Sequence, residues 1–64
     1  MEPKFKEGNI VKRKLDGVVI GTVSNNGIIY WENQQYSGYI YLFTTINNMI
    51  NGYYENQLEC VYVN

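Results

Sequence analysis

The sequence predicts an all-β protein, and three observations predict it. The sixty-four residues contain no alanine, the residue that helices accommodate best. Seven tyrosines stand among many valines and isoleucines, and aromatic and β-branched side chains suit a pleated, half-buried surface. Apolar runs of strand length are separated by Gly, Asn and Asp clusters, which are the punctuation of tight turns.

Residues 1–7 read as a flexible or loosely docked lead with Phe5 as its anchor, and Gly8-Asn9 is a turn signal. The first strand is 10–14. Val11 can face the core there while Lys12 and Lys14 share the opposite face, because side chains alternate with period two. Asp16-Gly17 makes the next turn. The second strand is 18–24, with Gly21 marking a bulge or bend in its middle. Asn25-Asn26-Gly27 then lies between two β-branched runs. Asn tolerates positive φ and Gly adopts it freely, so Asn26-Gly27 predicts a two-residue type I′ hairpin joining the second strand to a third at 28–33. Residues 33–38 are a polar connection. The fourth strand is 39–45, Tyr-Ile-Tyr-Leu-Phe-Thr-Thr. Residues 46–52 read as an asparagine-rich loop, with Met49 and Ile50 folding back as a lid. Tyr53-Tyr54 re-enters β structure, 55–58 makes one short 3-10 turn, and 59–63 closes the sheet.

A chain of this length is one domain, and a domain so small buries only about 60% of the surface its unfolded chain exposes. Added stability has to come from cross-links, metal or a partner. Cys60 is the only cysteine, so no disulfide forms within one chain. There is no histidine, and no cysteine pair or carboxylate cluster has the spacing of a metal site, so no metal and no cofactor are expected. No signal peptide is visible at the start, and no apolar run approaches the ~20 residues a membrane-spanning helix needs. The expectation is a soluble cytoplasmic protein stabilised by association, with a homodimer as one form. All five basic residues fall at Lys4, Lys6, Lys12, Arg13 and Lys14, and past position 14 only acids occur: Asp16, Glu32, Glu55 and Glu59. Such asymmetry makes a dipolar molecule whose field steers encounters.

The opening stretch FKEGNIVKRKLDGVVIGTV resembles the first hairpin of small SH3-like barrels of the KOW and Tudor kind. The matching positions are Gly8, Asn9 (where that group more often has Asp), Val11, Gly17, Gly21 and Val23. The later part is similar too: Tyr39, Tyr41 and Phe43 correspond to a core strand, and Glu55, Leu58 and Glu59 to the turn before the last strand. The resemblance implies a five-stranded antiparallel SH3-like barrel with one short 3-10 turn before its last strand. Its matching positions are turn and core positions, not functional ones. The Asn-, Tyr- and Ile-rich style also resembles short proteins of bacteriophages and mobile elements.

No catalytic reading is favoured. Without histidine the usual general base at neutral pH is missing. Cys60 has no partner to make it a thiolate, and in an apolar final strand it reads as a small buried hydrophobe. Binding is the better class. Lys12, Arg13 and Lys14 could hold phosphates in a nucleic-acid-binding barrel, with Tyr30, Trp31 and Tyr36 stacking bases. Against that, the pI is near 5.1, whereas nucleic-acid-binding domains carry an overall basic footprint. The alternative is a solvated edge strand whose lysines deter pairing. An aromatic cage for a methylated ammonium is a narrower possibility.

The strands are apolar on both sides. Val19 and Val23 oppose Val18 and Ile20; Ile29 and Trp31 oppose Ile28 and Tyr30; Ile40 and Leu42 oppose Tyr39, Tyr41 and Phe43. One set fills a single interior, and sequence does not say which set wins on the fourth strand. The other set is covered by loops 33–38 and 46–52, or it is a surface for another protein. Tyrosine and tryptophan favour the second reading. The expected protein-binding residues are Tyr30, Trp31, Tyr36, Tyr39, Tyr41, Tyr53 and Tyr54. The expected function is a non-catalytic protein-binding module, such as a phage-encoded modulator or inhibitor of a bacterial host or defence protein.

Overall fold

The computed structural model describes residues 2–61. Over these the chain forms β1 (Ile10–Arg13), β2 (Val19–Thr22), β3 (Ile28–Glu32), β4 (Ser37–Thr44), β5 (Ile50–Tyr54) and β6 (Leu58–Cys60), with 3-10 turns at Asn25–Gly27 and Glu55–Gln57. The strands make two three-stranded antiparallel sheets, ordered β2-β1-β6 and β3-β4-β5. The all-β class is as the composition requires. The five-stranded barrel is corrected: among the described residues there are six strands, and no ladder joins β2 to β3 to close the sheets into one.

The cause of the opening is the stretch that reads as a hairpin. Asn25-Asn26-Gly27 is a 3-10 turn that carries the chain from one sheet to the other. The Gly27 N–H bonds the Ser24 carbonyl at 2.8 Å, and the Ile28 N–H bonds that of Asn25. Gly27 does not take a positive φ. It is glycine for another reason: a Cβ there would lie 2.6 Å from the Leu42 carbonyl oxygen. Local turn propensity predicts the bend, but packing against β4 selects its form.

Other turns follow sequence more closely. Gly17 takes φ +73° after Asp16, whose carboxylate accepts from the Val18 N–H at 3.2 Å. The ladder register shifts opposite Ile20, beside Gly21, where the sequence marks a bulge. The shift breaks period two, so Ile20 and Val23 both reach the interior while Val18 and Val19 stay exposed. The last 3-10 turn comes where expected, with the Gln57 side chain accepting from the Tyr54 N–H at 2.9 Å.

The core is Phe5, Val11, Val23, Tyr41 and Leu58, with Ile20, Ile28, Tyr39, Phe43 and Tyr53 packed around it. It draws on both sheets and on the lead. Phe5 is the anchor predicted for the lead: its ring meets Tyr41 edge-on at 5.3 Å. Two further expectations are corrected. Residues 50–52 belong to β5, and Met49 and Ile50 are 63% and 66% exposed, so they form no lid. Cys60 is exposed, on a strand at the edge of its sheet. The expected final strand ends at Cys60 among the described residues; positions 62–64 lie outside them.

Candidate protein-binding face

Tyr41 decides which side of the second sheet is outside. It is 1% exposed, in register with Ile28 on one side and Tyr53 on the other. By alternation Tyr39 and Phe43 share its inward face. The next row, Ile29–Ile40–Tyr54, therefore faces out. The same outward face carries Trp31 across from Gly38, Leu42 across from Gly52, and Ile50 across from Thr44. Ile29, Trp31, Tyr54 and Ile50 are 41%, 49%, 44% and 66% exposed. Four large apolar side chains that open on one sheet face make a continuous patch rather than scattered singles, and such patches mark interaction sites.

The connection before β4 covers part of this face. Asn33 folds it: its side-chain oxygen accepts from the Gln35 and Tyr36 N–H groups, each at 2.8 Å. That brings the Tyr36 ring onto Tyr54, centroids 4.5 Å apart, with its hydroxyl donating to the Tyr39 carbonyl at 2.9 Å. The ring passes over Gly38, where a Cβ would stand 2.8 Å from the tyrosine oxygen. The 45–49 turn contributes no cover, since Ile46 is fully exposed.

The seven aromatic residues expected to bind protein thus divide three ways. Trp31, Tyr36 and Tyr54 lie together on the outer face. Tyr30 and Tyr39 meet edge-on at 5.3 Å on the inward-facing side, where Tyr39 also packs against the core. Tyr41 and Tyr53 are structural: Tyr41 is in the core, and Tyr53 packs on Phe43 at 6.0 Å. The Tyr30–Tyr39 and Tyr36–Tyr54 pairs occupy opposite faces, so they do not converge into a cage. Ile29, Ile40, Leu42 and Ile50 belong to the face too. Alternation grouped Ile29 with Trp31 and Ile40 with Leu42, but the burial of Tyr41 was needed to place that group outside.

Arg13 does not join Lys12 on one face of β1. Arg13 is tied to Asp16 by two bonds, Nε to Oδ1 at 3.0 Å and Nη2 to Oδ2 at 2.6 Å. The guanidinium, with the Val18 N–H, holds the Asp16 carboxyl below its usual range. Lys12 points to the other side of β1 and stands across the ladder from Glu59. Lys14 lies just past the strand.

One polar cluster supports the core. The Tyr41 hydroxyl donates to Glu55 Oε2 at 2.5 Å and accepts from the Phe5 N–H at 3.2 Å. The same carboxylate oxygen accepts from the Lys4 N–H at 2.9 Å. Burial, then the hydrogen bond to Glu55, pushes the phenol up to about 12. These bonds tie the lead to the last 3-10 turn.

Between β2 and the end of β4 the open seam leaves a cleft of about 340 Å³, lined by Ile20, Gly21, Asn26, Leu42, Phe43 and Thr44 among others. Its lining holds no ionisable side chain. Among the described residues no group of three or more His, Cys, Asp or Glu could hold a metal ion. No helix of the described residues is long and apolar enough to cross a membrane. No protein-family model, no curated protein and no solved structure matches this chain.

Proposed function

We propose that this chain is a non-catalytic protein-binding module of SH3-like type with an open seam, and that its partner covers the outer face of β3-β4-β5. The observation that carries the reading is the row of half-exposed Ile29, Trp31, Tyr54 and Ile50 on a sheet whose other face already supplies the core. A partner that covers Trp31 and Tyr54 desolvates the side chains that dominate interface energetics. The SH3-like assignment is supported by the short 3-10 turn directly before the last strand and by that strand's pairing with β1. In the setting its composition resembles, the module is a phage-encoded modulator of a bacterial host or defence protein.

Affinity capture from bacterial lysate tests the reading. The reading expects a partner that Trp31→Ala loses and that Lys12→Ala retains, both variants remaining folded by circular dichroism. Salt-sensitive binding of DNA or RNA, weakened by Lys12→Ala and Lys14→Ala, overturns it in favour of a nucleic-acid-binding barrel.

A further inference from the structure

Four strands end a sheet: β2, β6, β3 and β5. Exposed edges present unpaired backbone groups, and natural proteins blunt them with short length, bulges, charge or proline, while a glycine inside a strand weakens it as a pairing template. Three of these edges are blunted. β2 carries the register shift and Gly21. β6 has only three residues, with Glu59 at its centre. β5 has Gly52 in its middle. The fourth is bare. β3 is Ile28-Ile29-Tyr30-Trp31-Glu32, five residues in unbroken register with β4, without glycine, proline or lysine. Ile29, Tyr30 and Trp31 are all between 41% and 49% exposed.

We propose that β3 pairs with β3 of a second copy of this chain, antiparallel about a two-fold axis through Tyr30, to make one six-stranded sheet. The occupant follows from the strand's own sequence. Centred on Tyr30, the pairing sets Ile29 opposite Trp31 of the second copy, and Trp31 opposite its Ile29. Both pairs lie on the outer face, and aromatic–β-branched pairs are the favourable kind. Tyr30 meets its own counterpart beside the two Tyr39 rings. Glu32, the one charge on the strand, falls opposite Ile28, so no like charges oppose. A two-fold axis makes such a contact self-closing, so it ends at a dimer rather than a fibre. The two outer faces then join, doubling the patch that the proposed partner covers. A five-residue edge buries less than the roughly 800 Å² per partner of a standard interface, so the dimer is a weak, concentration-dependent one.

Sedimentation equilibrium over a wide concentration series tests this, and a cross-link locates the axis. Residues directly opposed across antiparallel strands have Cα atoms about 4.5–5.5 Å apart, within disulfide reach. In a Cys60→Ser background, Tyr30→Cys is expected to oxidise to a covalent dimer, while Glu32→Cys, four residues out of register with its own counterpart, is not. Ile29→Lys is expected to shift the equilibrium to monomer with unchanged circular dichroism. A chain that stays monomeric throughout, or that cross-links through Glu32→Cys as readily as through Tyr30→Cys, overturns the edge pairing. A monomer that still loses its partner on Trp31→Ala overturns the dimer alone and leaves the protein-binding reading standing.

Discussion

Tyr41 is the residue on which most of the interior turns. Its ring fills the core and its hydroxyl joins the lead to the last 3-10 turn through Phe5 and Glu55. Tyr41→Phe keeps the ring but leaves the Phe5 amide without that acceptor. The expected cost is about 1–3 kcal/mol in urea denaturation, the usual penalty for a buried polar group left unpaired. The hydroxyl also sets an alkaline limit. In the unfolded chain a phenol ionises near 10, while in the folded chain it is held up to about 12. Between those values the unfolded state gives up a proton that the folded state keeps, so stability falls as pH rises through the window. Denaturation midpoints measured from pH 9 to 12 are expected to drop in the native chain and to drop less in Tyr41→Phe. Asp16 acts at the other end. Its carboxyl is held low by Arg13, so its contribution is present above the usual carboxylate range and is lost as pH falls through the depressed value. Both side chains are more than a third in solvent or close to it, and exposed pairs add little.

At the scale of elements, two glycines matter because of what lies against them. Gly27→Ala places a methyl against the Leu42 carbonyl, a backbone atom that cannot swing aside. Overpacking of this kind costs about 1–3 kcal/mol, and thermal melting reads it. Gly38→Ala meets instead the end of the Tyr36 side chain, and the φ of +156° is itself strained for alanine. It is expected to move that ring off the sheet, which shows as a change in the near-ultraviolet circular dichroism of the tyrosines. Neither constraint was legible in sequence. Asn26-Gly27 signalled a turn with positive φ, since the only information there was local propensity. The signal is right that the chain turns at 25–27 and wrong that a hairpin forms, since β2 and β3 do not pair and β4 packs on the turn. The asparagine-rich 46–52 segment misled in the opposite direction. Its polarity reads as loop, yet 50–52 pair with β4 through the backbone, which any side chain permits. Strands whose side chains alternate into the core, such as β1 and β4, were readable near their observed limits.

On the scale of the whole molecule, the chain has one core and more apolar side chain than that core takes in. Trp31→Ala is expected to leave stability within about 0.5 kcal/mol, as surface substitutions do, while abolishing partner capture; guanidinium denaturation beside the capture assay separates the two effects. A large loss of stability on Trp31→Ala would show that the tryptophan serves the fold rather than a partner. The surplus was legible before any coordinates, as two apolar sets on each of three strands. The candidate site was legible only in part. Of the seven expected aromatics, Trp31, Tyr36 and Tyr54 lie on the outer face while Tyr41 and Tyr53 pack inward, because spacing along a strand shows which residues share a face and not which face is covered. Cys60, expected as a buried hydrophobe, is exposed on an edge strand, since apolar neighbours in sequence do not say what packs above a strand.

Amino-acid order alone determined that this protein is built from strands, where most of them lie, that Phe5 anchors the lead, that Gly21 sits at a break in the ladder, and that a 3-10 turn precedes the last strand. Those features come from side-chain stereochemistry and period-two alternation, which act over a few residues. Only the tertiary structure decided that the sheets stay two, that Tyr41 faces in and Ile40 out, and that β3 lies at the edge of its sheet. Those choices depend on which surfaces meet across long stretches of chain, where backbone pairing is indifferent to residue type and the core can admit only one face of each strand.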